Sequence, residues 1–372
     1  MANIFDYIEW RGDLSFSQSP FNEIDNLILS RVSYFPFDSI IALDEIVTLN
    51  ETYQRLKSLK LENVKMLQKE DVDLFPALAN SERFGKLFLK KYINKRDLEQ
   101  EKQFSAITIL LPDGTIYVSY RGTDNTLIGW KEDFNMSFME VVPAQKAAKD
   151  YLNIIAKETT GKLRVGGHSK GGNLAIYASA FCDKNVQDNI IEVYNNDGPG
   201  FLENVIETEN YQNIKSRIHT YIPQTSIVGR ILNNDGKCTV VHSTETGVYQ
   251  HSLYSWQLLG TKFISLDSVT KESEFIDKTL SKWLQSLESE QREKFWVALF
   301  EILSATNFDT LSQIKENWFD SSKKIFSTYK NLDEESKKVL NETIKCLFNV
   351  FKENLKESEK GIKIKKVREN EG

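Results

Sequence analysis

Only three cysteines occur in the 372 residues, Cys182, Cys238 and Cys346, and they lie far apart. None of the paired spacings that close a zinc site or a disulfide framework is present, so the thiols read as reduced and no metal or organic cofactor is expected. Long apolar runs are missing as well. Nothing approaches the roughly 18 consecutive apolar residues of a membrane-spanning helix, which argues against an integral segment and leaves any lipid contact peripheral. The opening stretch, MANIFDYIEWRGDLSF, lacks the basic segment followed by an apolar one that a secretory signal needs, and a cytoplasmic location is expected. Positive charge is in deficit, with 47 Lys and Arg against 53 Asp and Glu. The resulting net charge of −6 gives no chain-wide attraction to polyphosphate, so nucleic acid is not an expected partner. Internal repeats and low-complexity tracts are absent too.

What is present is an ordinary globular composition, 40% hydrophobic and 27% charged, in a chain long enough for a full core and a second unit. From Asn22 the pattern Ile24, Leu27, Ile28, Val32 predicts a helix behind an Asn cap, and residues 38–98 read as further short, mostly helical pieces. Segment 104–120 alternates apolar residues around Pro112-Asp113-Gly114 and predicts a β-hairpin. Pro143 opens a helix that leads into a short strand at 162–166, and further strands are predicted at 190–195, 217–222 and 238–243. Strands alternating with helices imply an α/β fold with a mostly parallel, helix-covered sheet. After about residue 270 only helical patterns remain, among them Phe295, Leu299, Ile302, Leu303 and Leu340, Ile344, Leu347, Phe348, Phe351, Leu355. Those apolar stripes need a partner face, in the protein itself or in another protein. The last stretch mixes both charge signs without an apolar stripe and reads as a frayed tail.

One segment carries chemistry. In LRVGGHSKGGNLAIYASA (163–180) an apolar strand runs into Gly167-His168-Ser169-Lys170-Gly171 and then directly into a helix. A serine held at a sharp strand-to-helix turn needs small neighbours, and the glycines two before and two after supply the room. The turn also sets Ser169 at a helix N-terminus, where free N–H groups favour negative charge developing on a substrate oxygen. Ser169 is therefore the candidate nucleophile, and the Lys170 N–H a candidate oxyanion donor. The Lys170 side chain reads equally as a solvated surface lysine or as a group near the acyl or head group of a substrate.

The motifs DYIEWRGDLSF (6–16), PFNEIDNLILSRVSYF (20–35), YRGTD (120–124), GHSKGGNLA (167–175), NDGPGF (196–201), YIPQTSIVG (221–229) and QHSLYSW (250–256) together resemble a bacterial family of α/β-hydrolases related to the class 3 (fungal-type) lipases. The resemblance covers residues 1 to about 260. It implies an α/β-hydrolase fold with a mostly parallel central sheet, to which the residue patterns add an N-terminal helical preamble and a C-terminal helical extension. It also implies that Thr123, the residue after Tyr120-Arg121-Gly122, donates the second oxyanion hydrogen bond. A Trp-x-x-Asp pattern shared with those lipases, here Trp130 and Asp133, implies an anchor for the loop. The apolar residues of 124–142, Leu127, Ile128, Trp130, Phe134, Met136, Phe138 and Met139, are expected mainly to pack and partly to rim an acyl groove.

Four histidines limit the search for a base to His168, His219, His242 and His251. His168 adjoins the serine within the turn and His219 lies inside a strand, which leaves His251 as first choice. His251 follows the last strand and matches the family's QH-x-x-x-x-W pattern, with His242 in reserve. The loop where class 3 lipases carry their acid, Gln224-Thr225-Ser226-Ile227-Val228, has no carboxylate. Asp197, after the strand that follows the nucleophile helix, is the first choice for the acid, Asp235 is a distant second, and Ser226 could hold the ring if no carboxylate does. The expectation is thus a serine hydrolase for acyl or lipid-like esters, using Ser169, His251 and Asp197 with Thr123 and Lys170 at the oxyanion. The alternative is a non-catalytic hydrolase fold that binds a partner through its C-terminal helices. The expected units are a hydrolase domain over 1–268, including a helical segment 1–100, a helical extension over 269–358 and a tail over 359–372.

Overall fold

The computed structural model describes residues 2–38, 40–42, 44–59, 66–97, 99, 102–124, 127–136, 139–234, 238–306 and 317–369. Eight strands follow one another across a single sheet: β1 (Ile46–Thr48), β2 (Phe88–Asp97), β3 (Lys102–Leu110), β4 (Ile116–Tyr120), β5 (Leu163–His168), β6 (Ile190–Asn196), β7 (Ile218–Pro223) and β8 (Cys238–Val241). β9 (Leu258–Leu259) and β10 (Lys262–Phe263) form a small hairpin, and β11 (Ser265–Leu266) closes the far edge antiparallel to β8. β1 to β4 pair antiparallel and β4 to β8 pair parallel. The expected hairpin is β3–β4, closed by Leu111 N–H to the Thr115 carbonyl at 3.0 Å. This is the mostly parallel, helix-flanked sheet of an α/β-hydrolase-like fold.

Period-2 side-chain alternation divides the body into two cores. Ile107, Ile109, Tyr117, Tyr194 and Tyr221 point to one face, where α1 (Ile4–Arg11), α2 (Glu23–Val32), α3 (Leu49–Ser58) and α4 (Asp71–Asn80) cover them. Ala106, Val118, Tyr120, Val165 and Val193 point to the other, under α5 (Leu127–Asn135), α6 (Pro143–Glu158) and α7 (Lys170–Phe181). Short helices α8 (Lys184–Gln187), α9 (Glu203–Ile206) and α10 (Glu209–Ile214) complete that layer. Ala175, Ala178 and Ala180 are all buried, so α7 lies close against the sheet. Asn22 caps α2 as expected, its side chain accepting from the Ile24 and Asp25 N–H groups. Two fully buried ion pairs, Arg83–Asp25 and Arg31–Asp71, tie the N-terminal helices together. Removing one partner of such a pair typically costs about 3–5 kcal/mol.

The helical reading of 38–98 requires correction, because that stretch supplies β1 and the ten-residue β2. β2 shifts register between Lys90 and Ile93, with Lys91 at φ 53°, so its apolar residues fall out of alternation and the strand leaves no period-2 signature. At the other end, α11 (Lys271–Gln285), α12 (Ser289–Ser304), α13 (Trp318–Asn331) and α14 (Glu334–Glu369) form a helical unit. Trp283, Phe295, Trp296, Phe300 and Leu340 make its core, which stays separate from the two cores of the body. Where a frayed tail was expected from 359, the backbone continues as helix through Glu369. No described helix is long and apolar enough to cross a membrane.

Candidate active site

The turn at Ser169 forms because β5 must reverse into α7 within one residue. Ser169 sits between them at φ 59°, ψ −136°, a conformation that a side chain rarely adopts and that persists only where the surroundings enforce it. A Cβ on Gly167 would come within 2.3 Å of the Gly171 backbone, and one on Gly171 within 2.2 Å of the Tyr120 carbonyl oxygen. Both positions therefore have to be glycine for the turn to close against the end of β4. The Ser169 N–H is held by the Asn196 carbonyl at 3.0 Å, which fixes the turn to the end of β6.

Asp197 follows β6 directly and is also left-handed, at φ 53°. Its carboxylate is fully buried. One oxygen accepts from Ser226 Oγ at 2.5 Å and from the Gly229 N–H at 3.2 Å, and the other lies 2.6 Å from His251 Nδ1. The structure therefore brings Asp197 and His251 together, and Ser226 braces the carboxylate instead of holding the ring. Asp235 lies outside the described residues. His242 follows β8 with no hydrogen-bond partner on its Nδ1 among the described residues, and His219 stacks on Tyr194 at 5.2 Å between ring centroids.

The segment carrying His251 is pinned from an N-terminal helix, from the loop after β7 and from within. Tyr254 donates to Asp71 at 2.6 Å, Trp256 Nε1 donates to the Gln250 carbonyl at 2.9 Å, and the Gln250 side chain accepts from the Thr225 N–H at 2.8 Å. His168, set aside as a base, has a different part to play. Its Nε2 lies 2.8 Å from the His251 carbonyl oxygen, and its ring lies 4.6 Å from the His251 ring, centroid to centroid. Burial and the neighbouring His251 hold the His168 imidazole well below its ordinary pKa, so the ring is neutral and donates from Nε2.

Tyr34 escaped the sequence reading. Its hydroxyl accepts from the Gly122 N–H at 2.9 Å and donates to the His168 carbonyl at 3.0 Å, clamping the strand end that precedes Thr123 onto the nucleophile turn. Burial pushes the Tyr34 hydroxyl up to about 12, so it remains protonated for both bonds. Nothing local in SRVSYF marks this role, because both partners are more than 80 residues away in sequence.

Thr123 Oγ donates to Asp133 at 2.5 Å, so its hydroxyl is committed to the α5 carboxylate. That leaves the Thr123 N–H, which together with the Lys170 N–H has no acceptor within the described residues. Lys170 departs from the surface reading. Its side chain is fully buried, with Nζ at 2.9 Å from Glu132 Oε2, 3.0 Å from Gln103 Oε1 and 3.2 Å from the Gln103 carbonyl. Burial works against its charge, but Glu132 and Asp133 outweigh it and hold the ammonium above its ordinary pKa. Glu132 also accepts from the Gln103 and Ala144 N–H groups, so a buried polar cluster fastens α5 to the start of α7. For Asp133 burial wins instead, pushing its carboxyl up to about 6 against the pull of Lys170 and Thr123.

Ser169, Lys170, Thr123, Asp197 and His251 all line one cavity of about 620 Å³ at the C-terminal edge of the parallel strands. No group of acidic, histidine and cysteine side chains suited to a metal ion occurs among the described residues. Of the apolar residues in 124–142, Met136 is buried and Met139 is half-buried. The side chains of Leu127, Ile128, Trp130 and Phe134, and residue Phe138, lie outside the described residues.

Comparison with known proteins gives two findings. The family model described as Mbeg1-like matches residues 78–301. Among solved structures, the chain is similar to one described as the crystal structure of M37 lipase, with 14% identity, 63% of this chain and 83% of that chain covered, and a TM-score of 0.35. No curated protein matches the chain.

Proposed function

The chain belongs to the Mbeg1-like family, a lipase-related family, and from that premise we propose that it hydrolyses carboxylic esters of acyl or lipid-like type through an acyl-enzyme on Ser169. The observation that supports this best is the 2.6 Å contact of Asp197 with His251 Nδ1, in a cavity that Ser169 also lines. With Nδ1 engaged by the carboxylate, His251 Nε2 is the nitrogen left to take a proton from Ser169 Oγ. The Oγ lone pair attacks the ester carbonyl carbon, and the C=O electron pair moves onto oxygen, where the Lys170 and Thr123 N–H groups receive it. Collapse breaks the C–O bond to the alcohol, which leaves with the proton from His251. Water then gives a proton to His251 and attacks the acyl carbon, and breaking the bond to Oγ returns the proton to Ser169 and releases the carboxylic acid. The Thr123–Asp133 bond and the Lys170 cluster position the two donors.

The contact of Asp197 with His251 supports this reading over a non-catalytic platform, which requires no such pair. A fluorophosphonate probe tests the proposal: wild type labels, Ser169→Ala does not, and His251→Ala labels far more slowly. Folded wild type that stays unlabelled, with detergent as well as without, would overturn it.

A further inference from the structure

The C-terminal helices do more than pack on one another. α11 begins on the loop that braces the acid. The Thr270 N–H donates to the Gln224 carbonyl at 2.7 Å, Ser273 Oγ donates to the Ser226 carbonyl at 2.8 Å, and Asp277 pairs with Arg230. Ser226 is the residue that holds Asp197. At the opposite rim α12 packs against α5, which carries the Asp133 that holds Thr123. The helical unit therefore spans the site from the acid loop to the oxyanion helix, and the cavity lies between it and the sheet edge.

The two sides of that cavity differ in kind. The floor carries the polar groups of the site, and the roof is Leu280, Trp283 and Leu284 of α11, Phe295 and Leu299 of α12, and Leu347 of α14. The i, i+3, i+4 spacing of Leu280, Trp283 and Leu284 on α11 turns one apolar stripe toward the cavity that Ser169 also lines. Charged groups on the floor are already engaged, Arg31 with Asp71, Lys170 with Glu132 and Asp197 with His251. The roof side chains are apolar and offer a charged or strongly polar tail no partner. Close-packed interiors leave gaps of about one water molecule, so a space of about 620 Å³ between a polar floor and an apolar roof has the size and character of a ligand site.

We infer that helices α11, α12 and α14 are the acyl-binding half of the site, and that they select esters of a single long, unbranched acyl chain by enclosing the chain between them. The ester class rests on the serine-hydrolase reading, while the enclosure of an apolar chain does not. In such a site each methylene that leaves water raises kcat/KM by roughly fourfold, until the chain reaches the end of the cavity. The profile should therefore climb steeply from butyrate to dodecanoate and then level off. A large side chain placed in the roof should shorten the preference.

The experiment compares p-nitrophenyl esters from butyrate to hexadecanoate on the full chain, with Leu299→Trp and Leu347→Trp as roof-filling variants on two different helices. Each should lower the dodecanoate-to-butyrate ratio of kcat/KM at least tenfold, and Phe326→Ala, on the exposed face of α13, should leave it unchanged. In parallel, hexadecanoate alone is titrated into Ser169→Ala and followed by tryptophan fluorescence, with binding expected and expected to weaken in Ser169→Ala/Leu299→Trp. Fluorophosphonate labelling with a flat chain-length profile would sink this inference and spare the serine. Hexadecanoate binding that the roof variant abolishes, in a protein whose serine never labels, would do the reverse. Preference for a two-chain phospholipid over single-chain esters would overturn the single-chain assignment.

Discussion

The floor and the roof of the cavity are built on different principles. On the floor nearly every side chain is fixed by a directed bond: Asp197 by Ser226 and Gly229, His251 by Asp197, the His251 backbone by His168, and Gly122 by Tyr34. The roof is held by shape, and the indole N–H of Trp283 is spent inside the helical unit on the Thr343 carbonyl at 3.1 Å. Chemistry needs atoms at fixed distances and angles, which hydrogen bonds supply. Enclosing a hydrocarbon needs only a surface of the right contour, because the hydrophobic effect has no direction. A change in the floor should therefore scale the rates for all esters alike, whereas a change in the roof should redistribute rates among chain lengths.

Asp197→Asn is the strongest way to break that contrast. Losing the carboxylate deprives His251 of the charge that orients it and stabilises its imidazolium, for which a fall in kcat of about 10⁴ is the usual scale. Steady-state kinetics on butyrate and dodecanoate esters should show the same factor for both. A loss falling mainly on one chain length would mean that the acid loop, through Ser226 and Ser273, governs the roof as well as the base.

Lys170→Met comes next. It leaves Glu132 charged and buried without its cation, a defect worth about 3–5 kcal/mol, and it loosens α5 from the start of α7. Urea unfolding should record that loss. Because the roof rests on α5 through α12, the variant should lower activity on every ester and also blunt chain-length selectivity. Stability close to wild type would show that the ion pair is not what fastens the helix.

Much of this floor is visible in the sequence, because its parts come in contiguous runs. Gly167-His168-Ser169-Lys170-Gly171 between a strand and a helix leaves few structures open, and Asp197 and His251 lie just beyond strands whose alternation is plain. What could not be read is what depends on partners distant in the chain. Tyr34 resembles any helix-end aromatic until Gly122 and His168 arrive beside it. A lysine after the nucleophile gives no sign of whether it points into water or, as here, toward Glu132. β2 is hidden by its own bulge. The apolar periodicity of α11, α12 and α14 states that one face of each helix is covered, but not by what, and the cavity exists only because that face is turned toward the sheet edge.

The smallest of the expected effects lies at the seam between floor and roof, on Asp133. Its carboxyl is raised to about 6 in the fold, against about 3.9 in an unfolded chain. Between those values the folded protein keeps a proton that the unfolded chain has lost, so this group makes stability fall as pH rises from about 4 to about 6. Above that window its cost is fully present. Asp133→Asn removes the titration and still offers a carbonyl oxygen to Thr123. Relative to wild type the variant should therefore gain on the order of 1–2 kcal/mol in urea unfolding between pH 4 and pH 7, a figure already reduced for the partial exposure of the side chain. Oxyanion positioning should survive, with kcat/KM on short esters at pH 7 within about tenfold of wild type. If the relative stabilities of the two proteins do not move with pH, Lys170 holds Asp133 ionised throughout, and the seam contributes a fixed charge to the oxyanion site instead of one that titrates.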